Sequence, residues 1–429
     1  MAKTIYAALL GAGTVGGGVY KLLERRREEM KDKIGAELCI KSILVRDTSK
    51  AREGIPQEKL TTDYDAILQD AEIDIVIELM GGIEPAKTYI ERALKAGKHV
   101  VTANKDLLAM HGFELAELAS VHSRDLRFEA AVAGGIPIVT PLMGCLEGND
   151  ITEVMGIVNG TTNFILTKMT KEGMDYDVAL KQAQELGFAE ADPTADVEGL
   201  DAARKVAILA SLAFHSKVTF DDVQTEGITK IKAKDIAYAG EMGFCIKLIG
   251  IARKVNEEIE VGVSPMMIPH GHPLANVNDS FNAVFVHGDA LDDAMFQGRG
   301  AGEFPTASAV VGDMIAVSRD ILAGCGGRLH LNPYKNLPLQ NPGEAIHRFF
   351  LRLKVEDRPG ILANVASVLG NNAVGISQVI QKARTEDVAE IVVITDRVQN
   401  RHMADALAIF RGMSVIRSIA SVIRVYSAG

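Results

Sequence analysis

Apolar residues cluster in short blocks at the start of the chain and in longer, mixed blocks further on. Residues 4–10 form an apolar run of strand length. A glycine-rich stretch, 11–18, follows, and a helical pattern then carries on through the charged residues 24–33. Further strands are predicted over 38–45, 74–79 (DIVIEL), 99–102 (HVVT) and 126–131 (LRFEAA). Helical stretches separate them, and the one over 83–96 has Pro85 in its first turn and Gly97 as its stop. This alternation predicts an α/β unit with a parallel sheet. From about Pro137 the pattern is mixed. Residues 152–163 hold β-formers and end in a polar Asn-Gly-Thr-Thr-Asn turn. Helix formers fill 200–213, alternating segments appear near 258–263 and 283–286, and a small-residue helix covers 307–322. That block reads as α+β. After a proline-bearing linker over 326–346, strands and helices at 349–355, 363–369, 376–382, 388–395, 403–411 and 415–425 follow the βαββαβ order of a ferredoxin-like sandwich.

The glycines after the first strand change the picture. Gly11, Gly13 and Gly16 make a G-x-G-x-x-G with Thr14 and Val15 between them, set between a strand and a helix. Gly11 allows the tight turn, Gly13 lets backbone approach a pyrophosphate, and Gly16 lets helix and strand pack closely. Unpaired N–H groups at the helix start face the anion. The first unit is therefore expected to bind a dinucleotide, NADP or NAD. Arg46, at the end of the second strand, favours a 2'-phosphate, whereas Asp47 beside it suits a free ribose hydroxyl. Thr102 and Lys105 fall just past the fourth strand, at the edge where ligands bind in open α/β sheets. The small-residue helix is expected to return to this unit and to bring Gly302 near the cofactor. The expected division is 1–136 with about 303–325 for nucleotide binding, 137–302 for substrate binding and dimerisation, and 347–429 as a regulatory domain.

Composition narrows the partners. The net charge of -10, with no basic block, argues against nucleic acid. The tail from 347 carries eleven Lys/Arg against seven Asp/Glu, so the acidity lies in the rest. Four scattered cysteines, Cys39, Cys145, Cys245 and Cys325, have no metal-ligand spacing and read as free, buried thiols of a reducing compartment. The N-terminus reads as a strand rather than a signal peptide, and the apolar stretch 206–214 is too short to span a bilayer, so a cytoplasmic protein without a membrane partner is expected.

The densest chemistry lies in 187–205, GFAEADPTADVEGLDAARK. Glu190, Asp192, Asp196, Glu198 and Asp201 are followed by Lys205. Asp201 and Lys205 are four apart and share one face of a helix. Carboxylates there suit a substrate ammonium, and a lysine beside them suits proton transfer at an oxygen. The bland alternative is a solvated acidic loop with a surface salt bridge. Near Glu129 a carboxylate is followed by bare carbonyls, a mix able to hold a monovalent cation.

Six motifs carry a resemblance to homoserine dehydrogenase: GAGTVGGG, TANK at 102–105, EAAVAGGIPI at 129–138, NGTTNFIL at 159–166, the 187–205 stretch and GAGEFPTASAVVGD. They span about residues 1–325. The tail, with DRPGIL and VGISQVIQ, resembles an ACT domain. The resemblance implies interconversion of L-homoserine and L-aspartate 4-semialdehyde with NAD(P), on the branch from aspartate to threonine and methionine. It assigns substrate binding to Glu190 and Asp201 with support from Asp196, proton donation to Lys205, and a second essential lysine to Lys105. It also implies a sodium-type site of Glu129 with the carbonyls of Val132, Gly134 and Ile136, an amino-acid effector such as threonine on the tail, and a homodimer or homotetramer. Two other readings remain at this point. An aspartate-semialdehyde dehydrogenase needs a nucleophilic cysteine, for which Cys145 is the candidate. A non-enzymatic nucleotide sensor needs no substrate site.

Overall fold

The alternating blocks fold into a parallel sheet. Its strands are β1 (Thr4–Leu10), β2 (Glu37–Leu44), β3 (Leu60–Thr61), β4 (Ile73–Glu78), β5 (His99–Thr102) and β6 (Leu126–Arg127). Their order is β3-β2-β1-β4-β5-β6, and each neighbouring pair is parallel. The direction of strand succession reverses between β1 and β4, which opens a crevice at the carboxyl ends of these strands. Ile75, Val76, Ile77, Val100 and Val101 are fully buried, as central strands covered on both faces must be.

This computed structural model describes residues 3–327, 333–385 and 388–427. Residues 328–332 of the expected linker therefore lie outside the described residues. The chain forms two compact units. One comprises Met1–Val158, Ala203–Val223 and Phe281–Leu337, and the other Asn159–Ala202, Gln224–Ser280 and Pro338–Gly429. The expected middle block, 137–302, is thus shared between the units.

In the first unit the small-residue helix, Glu303–Ala323, packs against Thr14–Arg25, as expected. Gly18 makes the close approach possible, since a Cβ there would lie 2.8 Å from the Glu303 side chain. Three expectations need correcting. The helix through 24–33 is two helices, Thr14–Arg25 and Arg27–Ile34, broken at Arg26 (φ -118°). The helix expected over 83–96 runs from Ala86 to Lys95, with Pro85 as its N-cap. The strand expected over 126–131 ends at Arg127, and Glu129–Ala131 is a 3-10 turn. The cause of the last is the Glu129 carboxylate, which leaves the ladder to collect backbone N–H groups further along. Strands Ile151–Ile157, Phe281–Gly288 and Asp292–Arg299 add an antiparallel sheet to this unit.

In the second unit Phe244–Val255 and Glu258–Pro269 form a hairpin. Its turn residues Asn256 and Glu257 both have positive φ, 50° and 60°, as tight hairpin turns require. The tail pairs strand Ile346–Glu356 with Ile416–Val425 on one side and Val388–Thr395 on the other, and the last of these with Ile376–Thr385. With helices Ile361–Asn371 and Asn400–Gly412 this gives the βαββαβ order. Its core includes Leu351, Leu353, Val365, Ile391 and Phe410. The hydrophobic pattern did not predict helix Ala233–Glu241 or strands Phe244–Val255 and Asp292–Arg299. Residues 245–252 are buried without interruption, so they offer no period to read.

Candidate active site

The glycine motif builds the first part of the site. Gly11 has φ 97°, and a Cβ there would lie 2.9 Å from the Leu79 carbonyl oxygen. A Cβ on Gly16 would collide with the Gly11 carbonyl. Gly13, by contrast, faces open space, with nothing within 4 Å of a Cβ position. It is also the N-cap of the helix that starts at Thr14 and Val15, and no side chain caps that end. Its first N–H groups are therefore available to an anion. These residues fit a pyrophosphate. Gly302, at φ 131°, is the N-cap of Glu303–Ala323. Arg46 is exposed just past β2. Asp47 is turned back on its own loop, where its Oδ1 accepts the Ser49 N–H at 2.9 Å and the Ser49 hydroxyl at 2.6 Å. Those bonds hold its carboxyl below the usual carboxylate range.

At the next strand ends, Glu78 is fully buried. Its Oε1 accepts the backbone N–H groups of Met80 (2.8 Å) and Gly81 (3.2 Å), and its Oε2 accepts the Thr102 hydroxyl at 2.7 Å. The Thr102 oxygen in turn accepts the Asn104 N–H. The hydroxyl proton of Thr102 and one of its two lone pairs are thus committed to protein. Asn104 caps the helix that starts at Lys105, its Oδ1 accepting from the Leu107 N–H at 3.1 Å. The same amide donates to the Gly82 carbonyl at 2.7 Å. Lys105 is therefore launched from a strand end that is tied to the Met80–Gly82 turn.

Lys205 lies in helix Leu200–Phe214, and its Nζ donates to the Val158 carbonyl at 2.7 Å. The residues adjoining the two lysines are ion-paired, with Arg204 Nε 2.7 Å from Asp106 Oδ1. The starts of the two lysine-bearing helices are thus joined.

In the second unit, Asn159 Nδ2 donates to Asp196 Oδ1 at 2.7 Å and to Asp201 Oδ2 at 2.9 Å. Asp201 is buried, Asp196 half-buried and Glu190 exposed. Two of the three carboxylates expected to bind substrate are thus brought together by Asn159, and Glu190 is not among the partners of that amide. The Asn-Gly-Thr-Thr-Asn segment is the first turn of helix Gly160–Glu172, capped by Asn159, rather than a free turn. Thr161 anchors the acidic loop by donating to the Phe188 carbonyl at 2.6 Å.

Glu129, the candidate cation ligand, is buried. Its Oε1 accepts from the N–H groups of Ile138 (2.6 Å) and Val139 (2.9 Å), and its Oε2 from Thr140 (2.7 Å). About one lone-pair direction of such a carboxylate remains for a cation. Ala133 and Gly134 both have φ 55°, which turns the backbone between Val132 and Ile136 sharply. One carboxylate with neighbouring carbonyls is hard-oxygen chemistry that fits a monovalent cation. Asp313 accepts the Glu129 N–H at 2.8 Å, and burial pushes its carboxyl up to about 7. Of the cysteines, Cys145 is exposed and only Cys245 is buried, which corrects the expectation of buried thiols; all four are free.

Two family profiles match the chain: "Homoserine dehydrogenase, NAD binding domain" over residues 11–129 and "Homoserine dehydrogenase" over 137–315. A homoserine dehydrogenase of Bacillus subtilis is 44% identical, with 100% of this chain and 99% of that protein covered. The chain belongs to the homoserine dehydrogenase family. The Corynebacterium glutamicum homoserine dehydrogenase is 47% identical over 97% of this chain and 94% of its own. The crystal structure of a homoserine dehydrogenase from Thiobacillus denitrificans superposes with a TM-score of 0.93 at 40% identity, covering 100% of this chain and 99% of that one. That of Staphylococcus aureus gives 0.80 at 39%, covering 99% and 100%. Homoserine dehydrogenases are NAD(P)-dependent oxidoreductases, and membership sets aside both the cysteine-nucleophile and the sensor readings. Sequence reasoning missed Glu78, Asn104, Asn159 and the Asp106–Arg204 pair. The only signals were a lone acid closing an apolar strand, and asparagines at two helix starts.

Proposed function

We propose that the chain interconverts L-homoserine and L-aspartate 4-semialdehyde, and the observation that carries this is one helix. Leu200–Phe214 presents Asp201, bridged to Asp196, and one turn further on presents Lys205. Glu190, Asp196 and Asp201 bind the substrate ammonium. Lys205 and Lys105 attend the reacting oxygen, where negative charge grows as the aldehyde is reduced. An ammonium there stabilises that charge and hands over the proton; in the oxidative direction an amine takes it back. When bound, the nicotinamide supplies the hydride exchanged with the carbinol carbon. Gly11, Gly13, Thr14, Val15 and Gly16 hold the pyrophosphate, with Thr102, Lys105 and Gly302 lining the nicotinamide end.

The dinucleotide is NADP in preference to NAD. Arg46 is exposed at the strand end, and Asp47 is occupied by Ser49, so the acidic residue does not compete for the ribose. A hyperthermophilic archaeal homoserine dehydrogenase solved with NADPH superposes with a TM-score of 0.62 at 26% identity, covering 73% of this chain and 98% of that one. A sodium-type ion sits against Glu129 and the carbonyls of Val132, Gly134 and Ile136. The βαββαβ tail acts as an ACT domain that binds an amino acid, threonine being the expected effector of an enzyme on the threonine and methionine branch. The chain works as a homodimer or homotetramer in the cytoplasm. No helix among the described residues is long and apolar enough to cross a membrane.

Steady-state rates with homoserine, comparing NADP with NAD and with or without threonine, test these readings together. Lys205→Ala is expected to lose about a hundredfold or more in kcat while still binding NADPH by fluorescence. Near-wild-type turnover removes Lys205 from the chemistry.

A further inference from the structure

Two carboxylates held close together repel, and such a pair tends to take up a proton. Hydrogen bonds donated to the charged forms oppose that uptake. The second unit contains such a donor. Asn159 is buried, and its amide nitrogen donates to Asp196 Oδ1 at 2.7 Å and to Asp201 Oδ2 at 2.9 Å. Its amide oxygen accepts the Thr162 N–H and the Thr162 hydroxyl, both at 2.9 Å. Both protons of the amide and both lone pairs are thereby used. The orientation is also fixed, because the Thr162 N–H can only donate and the carboxylates accept. One neutral side chain therefore starts a helix and joins two acids that lie 37 and 42 residues further along.

The ring of partners extends further. Helix Gly160–Glu172 is pinned at Asn163, whose Oδ1 accepts from Lys247 Nζ at 3.1 Å. The same ammonium donates to the Val277 carbonyl at 2.6 Å and to Asn278 Oδ1 at 3.2 Å. Lys247 is buried, so this anchor is rigid. Asn159 thus projects from the start of a helix that is anchored at Asn163, and its N–H groups join the two carboxylates to that start.

We propose that Asn159 is a positioning residue of the substrate site: its amide holds Asp196 and Asp201 in one arrangement for the substrate ammonium. This rests on the assignment of those acids to substrate binding. The Asn159 amide is committed to Thr162 and the two carboxylates, so its effect falls on homoserine recognition.

Two variants of the full chain separate positioning from capping. Serine and aspartate both serve well as N-caps, so Asn159→Ser and Asn159→Asp keep the helix start. Serine cannot donate to both acids, and aspartate sets a third carboxylate against them. For Asn159→Ser the KM for homoserine is expected to rise about 30-fold, in line with the loss of hydrogen bonds to charged groups. The KM for the dinucleotide should stay within about twofold, and the acid limb of the kcat/KM profile for homoserine should move to higher pH. Asn159→Asp should move the same limb further. An unmoved limb with an unchanged homoserine KM in Asn159→Ser overturns the proposal. So does an equal rise in both KM values with a lowered thermal midpoint, which marks a purely structural cap. A wild-type chain that ignores homoserine overturns the parent assignment as well, whereas an active wild type beside an indifferent Asn159→Ser overturns this inference alone.

Discussion

Two groups of buried charges, one in each compact unit, are held by different means. In the first, Glu78 and Glu129 take most of their hydrogen bonds from backbone N–H groups of nearby turns. In the second, around Arg352, buried charges hold one another. Arg352 donates to Asp235 Oδ1 at 2.8 Å and to Glu390 Oε1 at 3.3 Å, and Tyr238 donates to Glu390 Oε2 at 2.8 Å. Glu260 lies 2.7 Å from His347 Nε2. The backbone-held acids shape loops around a ligand edge. The side-chain network instead fastens the tail strands to helix Ala233–Glu241, joining segments more than a hundred residues apart. A charge held by backbone depends on its own loop, whereas a charge held by another charge depends on a partner that one mutation removes.

This difference sets an order of effects. Arg352→Ala leaves Asp235 buried without its cation and Glu390 with only the exposed Lys234 as its cation, and should cost about 3–5 kcal/mol in chemical unfolding. Replacing Arg352, Asp235 and Glu390 by apolar residues of similar volume should restore most of that loss. Glu129→Gln keeps the shape but sets an amide NH2 against backbone donors, and should cost about 1–3 kcal/mol. A larger loss than for Arg352→Ala would invert the comparison. Glu78→Gln should raise the KM for the dinucleotide severalfold with little change in unfolding midpoint, because the turn at 80–82 loosens while the sheet stays. Glu260→Gln should show the smallest effect, present above the carboxyl's ordinary 4.5 and vanishing in acid. Burial alone would raise the Glu260 carboxyl, but the hydrogen bond and charge of His347, with Arg253 and Arg424, hold it below its ordinary 4.5. An acid whose folded value is depressed contributes stability above its unfolded value and loses it as the pH falls through the folded one. The wild-type midpoint should therefore drop more steeply than that of Glu260→Gln as the pH falls below 4.5. Parallel curves would show that His347 and Glu260 do not interact as charges.

The nucleotide sheet was legible in the sequence because its determinants are local. Apolar runs of strand length and glycines that admit no Cβ lie within a few residues of what they form, and the fourth predicted strand, His99–Thr102, matches to the residue. Glu129 was not legible as the end of a strand, because the N–H groups that pull it out of the ladder lie at 138–140. The acidic stretch was legible as composition, since five carboxylates before a lysine are visible without a fold. Its ordering was not, because Asn159 reads locally as a cap or a turn and its acidic partners come much later in the chain. Phe244–Val255 was hidden for a third reason: continuous burial erases the alternation that reveals a strand.

The Asn104 amide, which starts one helix while gripping the Gly82 carbonyl, means that the helix start carrying Lys105 is tied to a turn 22 residues before Asn104. Under the role proposed for Lys105, random substitutions at 80–82, selected for altered coenzyme choice, will yield some enzymes whose hold on coenzyme is intact but whose proton arrives late. Solvent isotope effects will tell those enzymes from the rest.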